Sequence, residues 1–235
     1  MTTSTSERSS EPWRRRLYLP NYQIGEAAKY ADITTQTVVA WHREAGKQVR
    51  TLSHKERRVE LSYMQLIEVA VVAAFRKSGV PLKRIRAARE YASKTLKAEY
   101  PFAEFRFKEE AKHLWLDFEQ VSGVKPGTVV QADQEGQLTW ESIIGRLREF
   151  EYEHEGIVIR WHVAGRSSPI IIDPRIAFGA PTISGTPTWV IKGRWNAGES
   201  DREIADDFGI KKEEVREALK FEGIMPSGRG RSRVH

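Results

Sequence analysis

No cysteine occurs anywhere in the chain, so neither a disulfide nor a thiolate metal site can belong to its chemistry. No stretch approaches the roughly 18 consecutive apolar residues of a membrane-spanning helix, and the opening Met-Thr-Thr-Ser-Thr-Ser-Glu-Arg-Ser-Ser has no apolar signal core. A reducing cytoplasm and no membrane are therefore expected. The histidines His42, His54, His113, His154, His162 and His235 do not pair at metal-ligand spacing. There is no phosphate-cradling glycine loop. Glu149, Glu151, Glu153 and Glu155 alternate, as a solvated strand edge or helix end does. With no catalytic constellation, the expectation is a protein that is not an enzyme and needs no cofactor or metal.

What the chain does have is charge, unevenly placed. Residues 1–98 hold 19 Lys+Arg against 9 Asp+Glu, a net of +10, while residues 99–235 hold 19 against 23, a net of −4; together they give the overall +6. A basic front and an acidic rear imply different partners, a polyanion for the first and a basic or neutral surface for the second. With 40% hydrophobic residues the chain can fill one large or two small cores.

Residues 1–20 are expected to be a flexible basic arm. The first twelve are rich in Ser and Thr, and Trp13-Arg14-Arg15-Arg16 reads equally as a minor-groove or phosphate contact and as a solvated arm. Next, Ile24, Ala27, Ala28 and Ala31 recur on one face of a short helix. Asp32-Ile33-Thr34 makes a tight turn in which Thr34 can cap a second helix. That helix places Val38 and Trp41 inward and Thr35, Gln36, Val39 and Arg43 outward. Short polar side chains at the start of a second helix suit a major groove. Two short alternating runs, 49–52 and 59–61, flank a basic tip in the manner of a wing, with Arg50, Lys55, Arg57 and Arg58 placed for phosphates. The candidate DNA-binding residues are thus Tyr22, Thr35, Gln36, Thr37, His42, Arg43, Arg50, Lys55, Arg57 and Arg58.

A helix follows, opened by the capping box of Ser62 and Gln65, with Leu66, Val69, Ala70, Ala73 and Ala74 at helical spacing. Ser78-Gly79-Val80-Pro81 stops it. The next helix carries Leu82, Ile85, Ala88 and Tyr91 inward and Lys83, Arg84, Arg86, Arg89, Lys94 and Lys97 as a basic complement. This order, with Gly79-Val80-Pro81-Leu82-Lys83-Arg84-Ile85-Arg86 behind the wing, resembles the MerR-type winged helix over residues 21–92. The resemblance implies DNA docking by a domain spanning 21–98. It departs where Ala40-Trp41-His42 replaces the usual Arg-Tyr-Tyr and where no long dimer helix with effector cysteines follows, so metal or drug sensing is not implied.

Residues 99–170 are expected to form a small α+β unit. Phe102, Phe105 and Phe107 interleave with charge, and residues 105–107 pair with a strand at 113–119. A further short strand lies near 129–138, and 140–150 is amphipathic, with Ile143, Ile144, Leu147 and Phe150 on one face. Strands are expected at 157–163 and 170–172.

Residues 171–226 begin with a turn-rich lead-in and continue as three short helices resembling a helix-turn-helix bundle. Val190, Ile191 and Trp195 lie on the first helix, which ends at Gly198. Ser200 and Glu203 make a second capping box before Ile204, Ala205 and Phe208, and Gly209 ends that helix. Val215, Ala218, Leu219 and Phe221 line the last. Residues 199–222 hold nine acidic and five basic residues, with Glu213, Glu214 and Glu217 on the would-be recognition helix. Such charge opposes DNA and favours protein binding or dimerisation. The fold class expected is thus α+β and helix-rich: a winged helix-turn-helix, a small α+β middle unit and a three-helix bundle.

The run Asp173-Pro174-Arg175, then Phe178-Gly179-Ala180-Pro181-Thr182-Ile183-Ser184-Gly185, then Ile204-Ala205-Asp206-Asp207-Phe208-Gly209-Ile210, is similar to a bacterial domain of unknown function often found in antitoxins paired with PIN-like ribonuclease toxins. The whole architecture resembles a VapB-type antitoxin of a type II toxin–antitoxin pair. Thr186-Pro187-Thr188 departs from the Thr-Arg pair of shorter relatives, so a role for that arginine does not transfer. The resemblance implies operator double-stranded DNA, a PIN-like ribonuclease toxin and a second copy of the chain, as a homodimer, as partners. The tail at 227–235 is basic and glycine-rich. Its Arg229, Arg231 and Arg233 would pair with the metal-holding carboxylates of such a nuclease, contact DNA, or do neither. The other open reading is a stand-alone MerR-like regulator sensing a small ligand among Phe105, Trp115, Trp140 and Trp161.

Overall fold

A computed structural model describes residues 12–43, 51–52, 60–104, 147–153 and 156–225. The expected wing tip, the expected strands between 105 and 138 and the basic tail lie outside the described residues, as does all but the end of the amphipathic segment at 140–150. Among the described residues the fold is α+β and helix-rich, and the chain divides into two compact units, 1–159 and 160–235.

The first unit contains α1 (Pro12–Arg16), α2 (Ile24–Ala31), α3 (Thr35–His42), α4 (Tyr63–Lys77) and α5 (Leu82–Leu96), then a 3-10 turn at Pro101–Ala103 and β1 (Phe150–Tyr152). Strand β2 (Val158–Trp161) carries the chain across the division. The second unit contains β3 (Ile171–Ile172), a 3-10 turn at Ala177–Gly179, β4 (Pro181–Ile183), β5 (Thr186–Pro187), α6 (Thr188–Asn196), α7 (Asp201–Phe208) and α8 (Lys212–Phe221). The strands are hydrogen-bonded in chain order, and β2 to β5 pair antiparallel.

Helix α4 is the centre of the first unit. Ser62 accepts from the Gln65 N–H at 3.2 Å and Gln65 Oε1 accepts from the Ser62 N–H at 2.9 Å, the reciprocal cap that the sequence predicts. Every residue from 63 to 75 is buried. A helix apolar all round has to be covered all round, and the neighbours do this. The Met64 N–H donates to the carbonyl of buried Leu17 at 3.2 Å. Phe102 meets Phe75 edge to face, centroids 5.6 Å apart at 89°, a geometry that adds about 1 kcal/mol to simple burial. The helix closes at Gly79, φ +85°, with the Val80 N–H returning to the Phe75 carbonyl at 3.1 Å.

One charge lies inside this apolar cylinder. Glu68 is fully buried, and Arg89 of α5 donates to it from Nε at 3.1 Å to both oxygens and from Nη2 at 2.9 Å. The same Nη2 reaches the Glu99 carbonyl at 2.6 Å. A desolvated carboxylate held by a two-point guanidinium is stable only as a pair.

Three backbone links set the path of the chain around α4. Tyr22 and Leu61 form an antiparallel bridge, with N–H to carbonyl distances of 2.9 and 2.7 Å, and the Leu52 N–H donates to the Trp41 carbonyl at 3.3 Å. So of the two runs expected to flank the wing, the described end of the second pairs with the residue ahead of α2. Glu104 bridges Ile157. Phe150, expected on a helix face, instead begins β1.

The second unit packs Ile170, Ile183, Ile191, Ile204, Val215, Ala218 and Leu219 into one core. The lead-in expected to be turn-rich also contains β4 and β5, paired Thr182 with Pro187 and Ile183 with Thr186. Ser184 (φ 48°) and Gly185 (φ 84°) link them. Two consecutive positive φ values suit the twist of a tight hairpin. Ser200 caps α7 with Glu203 returning the bond, and Gly209 (φ 64°) ends it.

Replacing Glu68 with Ala leaves the Arg89 guanidinium buried without its carboxylate and lowers stability by about 3 to 5 kcal/mol. Thermal unfolding of the purified variant measures this; an unchanged Tm would remove the pair from the account.

Candidate nucleic-acid interface

Helices α2 and α3 meet at a turn whose geometry is fixed at each residue. Asp32 adopts the left-handed region at φ 52°, and its N–H returns to the carbonyls of Ala28 and Lys29. Lys77 of α4 braces the turn, its Nζ donating to the Ala31 carbonyl at 3.1 Å and to Asp32 Oδ2 at 2.8 Å. Thr34 caps α3, with Oγ1 accepting from the Thr37 N–H at 3.2 Å and 2.9 Å from the Thr37 hydroxyl. Val38 and Trp41 anchor the inner face of α3 at 0% and 5% exposure.

What remains outside on α3 and its cap is Thr35, Gln36, Ala40 and Arg43, all exposed, with Thr37 half-buried. Helix α3 carries no acidic side chain. Its opening turn thus offers short polar groups and unsatisfied backbone N–H donors to an anionic partner.

The structure puts Tyr22 and His42 in the interior, away from that face. Tyr22 packs on Tyr63 with centroids 6.5 Å apart, and its burial pushes the phenol above its ordinary range. His42 is buried with Nδ1 2.8 Å from the Val38 carbonyl. Arg50, Lys55, Arg57 and Arg58, and equally Arg229, Arg231 and Arg233, lie outside the described residues.

Several cations counted in the sequence as available are engaged within the unit. Arg14 grips Glu153 through Nη2 at 2.6 and 2.8 Å. Arg86 Nε donates to Thr51 Oγ1 at 2.7 Å, and Arg89 holds Glu68. The exposed cations include Arg15, Arg43, Lys83, Lys94 and Lys97. Among the described residues no cluster of three or more His, Asp or Glu is placed to hold a metal, and no helix is long and apolar enough to cross a membrane.

The second unit contains a charge arrangement that the sequence reading passed over. Asp173 is fully buried, yet it accepts from the Arg175 N–H at 2.9 Å, Nε at 2.8 Å and Nη2 at 2.6 Å, with Arg160 Nε at 3.5 Å. Burial alone would raise the Asp173 pKa; the Arg175 hydrogen bonds and the charges of Arg175 and Arg160 outweigh it and hold the carboxyl below its ordinary value. The Asp-x-Arg spacing was the available signal, since Asp commonly accepts from the backbone two residues on.

The fold and site define a helix-rich α+β protein whose front unit exposes a capped helix-turn-helix. Residues 170–221 match the family described as "Protein of unknown function (DUF433)". The chain is 25% identical over 226 residues to a Mycobacterium tuberculosis protein named "Putative antitoxin VapB45", covering 87% of this chain and 94% of that one. Its fold matches a crystal structure of Rv2018 from Mycobacterium tuberculosis, with a TM-score of 0.69, 21% identity, and coverage of 87% of this chain and 99% of the other.

Two outcomes follow. Thr34→Ala removes the cap of α3 and lowers stability by about 1 kcal/mol, read by chemical denaturation. For Asp173 the folded pKa is depressed, so its contribution is present above the unfolded value and is lost as pH falls through the folded one. The Tm of the native chain therefore drops on acidification through the carboxylate range. Asp173→Asn is less stable at neutral pH and shows a shallower acid loss; parallel Tm–pH curves would reject the assignment.

Proposed function

We propose that this chain is the antitoxin of a type II toxin–antitoxin pair: it binds operator double-stranded DNA through a MerR-like winged helix, neutralises a PIN-like ribonuclease toxin by direct contact, and so represses its own operon. The chain works in the cytoplasm as a homodimer and performs no catalysis. The observation that carries the DNA arm is the exposed opening of α3, with Thr35 and Gln36 facing out from a helix anchored by Val38 and Trp41 and with Arg43 at its end. The toxin arm is supported by likeness to the antitoxin relative along 87% of the chain.

On DNA, Thr35 and Gln36 read base edges, and Arg43 joins Arg50, Lys55, Arg57 and Arg58 around the groove. A homodimer places two such helices on a two-fold site. Against the toxin, Arg229, Arg231 or Arg233 pairs with carboxylates that hold divalent metal in PIN-like nucleases. Toxin binding then strengthens operator binding through the added contacts of a larger assembly.

Purification of the tagged chain from its native host, with mass spectrometry of what accompanies it, tests the reading. A small ribonuclease in near-stoichiometric amount is expected; the chain accompanied by DNA alone would replace the antitoxin with a stand-alone regulator. Deleting residues 227–235 should relieve inhibition of that ribonuclease, and full inhibition by the shortened chain would remove the tail from the site. Gln36→Ala should change sequence preference more than overall affinity, by about 1 to 3 kcal/mol at one base pair. A uniform loss across sequences would make Gln36 a phosphate contact instead.

A further inference from the structure

Within the first unit, the end of α1, the first turn of α4 and the stretch leading out of α5 frame a recess of about 340 Å³. Its floor is apolar: Met64 of α4 and Leu96 of α5 are both buried. One wall is aromatic. The Tyr18 and Tyr100 rings lean on each other with centroids 6.0 Å apart at 49°, and both side chains line the recess. The rest of the frame is fixed by contacts within the unit. The carbonyl of Leu17, next to Tyr18, accepts from the Met64 N–H at 3.2 Å. Lys97 turns the chain out of α5 in the left-handed region at φ 54°. Ser93 Oγ then donates to the Ala98 carbonyl at 2.7 Å, and Arg89 Nη2 to the Glu99 carbonyl at 2.6 Å. A recess held in shape by such contacts loses no affinity to its own ordering.

The charge at its mouth is negative. Glu99 and Glu104 line the recess together with Lys97, two carboxylates to one ammonium. The Tyr100 hydroxyl donates to the Glu99 carboxylate, which still has acceptor sites for another donor. Burial pushes both phenols above their ordinary range. Carboxylate charge adds to the rise, from Glu104 and Glu99 at Tyr18 and from Glu99 and Glu68 at Tyr100. Arg14 acts the other way on Tyr18, but Glu153 grips its guanidinium. Arg89 is likewise held by Glu68. Lys97 is exposed, and its long stem lets the ammonium turn to water.

We propose that this recess binds a small organic cation with a flat apolar body, an amidinium or guanidinium on an aromatic ring. The cationic end meets Glu99 and Glu104, and the body lies on the floor of Met64 and Leu96 against the tyrosine wall. Carboxylates accept a planar N–H fork two bonds at a time, and an aromatic face attracts a cation laid over it. A free metal ion fits poorly, because a floor of Met64 and Leu96 supplies none of the oxygen ligands that a hard cation needs. An anion meets repulsion from both carboxylates. The volume of about 340 Å³ lies within the range of small-molecule sites, about 300 to 1,000 Å³. One inserted arginine or lysine of a protein partner would leave part of it unfilled, which favours a free small molecule. The inference goes beyond the antitoxin reading and makes no use of it.

Calorimetric titration of the full chain with benzamidinium, and with its neutral isostere benzamide, tests it. Benzamidinium should bind at one site per chain, lose affinity as salt rises and raise Tm. Benzamide should bind about tenfold more weakly. Glu99→Gln should weaken benzamidinium by about tenfold and Tyr18→Leu should weaken it several-fold. Both positions are exposed, so the circular dichroism of each variant should match that of the native chain. Absence of saturable benzamidinium binding, equal affinity for benzamide, or variants that bind like the native chain would each overturn the proposal. A ribonuclease captured by the chain that displaces benzamidinium would also overturn it, because the recess would then take a protein side chain.

Discussion

The first unit is organised by the requirement to keep water off α4 on every side. Residues 63–75 are buried without a break, so no flank of this helix can be left to solvent, and each neighbour is fixed by the strip it must cover. Leu17 takes one end and Phe102 another, while α5 brings Arg89 against the one charge within. The helix-turn-helix inherits its placement from this arrangement: Lys77, in the last turn of α4, holds the Ala31 carbonyl and the Asp32 carboxylate. The exposed opening of α3 is thus oriented by contacts behind it, so its geometry is held from within the unit.

The same contacts decide which charges remain available. A surplus of cations in residues 1–98 gives the direction of the electrostatics but overstates the free charge. Arg14, Arg86 and Arg89 satisfy groups within their own unit. In the second unit Arg175 is held by Asp173, and Arg194 is shared between Glu199 and Asp207. Guanidinium groups serve such roles because their fork meets two acceptors at once. The exposed cations Arg15, Arg43, Lys83 and Lys97 are therefore a better guide to a polyanion-facing surface than net charge.

Local signals carried much of the fold. Thr34, the Ser62–Gln65 and Ser200–Glu203 boxes, and the stops at Gly79 and Gly209 all lie where the sequence puts them, since each acts within four residues. Strand β2 was also legible as a run of alternating apolar residues. Strands β4 and β5 were not, being three and two residues long with Pro181 and Pro187 inside them; proline suppresses the usual strand pattern, and their pairing depends on a turn whose Ser184 is not a strong signal for positive φ. Of the candidate DNA contacts, Thr35, Gln36 and Arg43 could be placed outward by helical period. Tyr22 and His42, expected at the DNA, are buried instead, because a ring with a polar tip suits a core and a surface alike and helical period alone does not choose between them. The Glu68–Arg89 and Asp173–Arg175 pairs show the general limit: a lone charge in a pattern does not announce its partner.

The Arg14–Glu153 clasp spans 139 positions of chain. Together with Glu104 bridged to Ile157, it means that the first unit is finished by a segment made long after its helices. On a ribosome, α1 to α5 emerge well before residues 150–157, so Arg14 and Glu104 wait for the partners that these later residues supply. Synthesis itself thus opens an interval in which the nascent chain holds its helices but not yet the strands that close them, and in which proteases and chaperones compete with folding for the same segment.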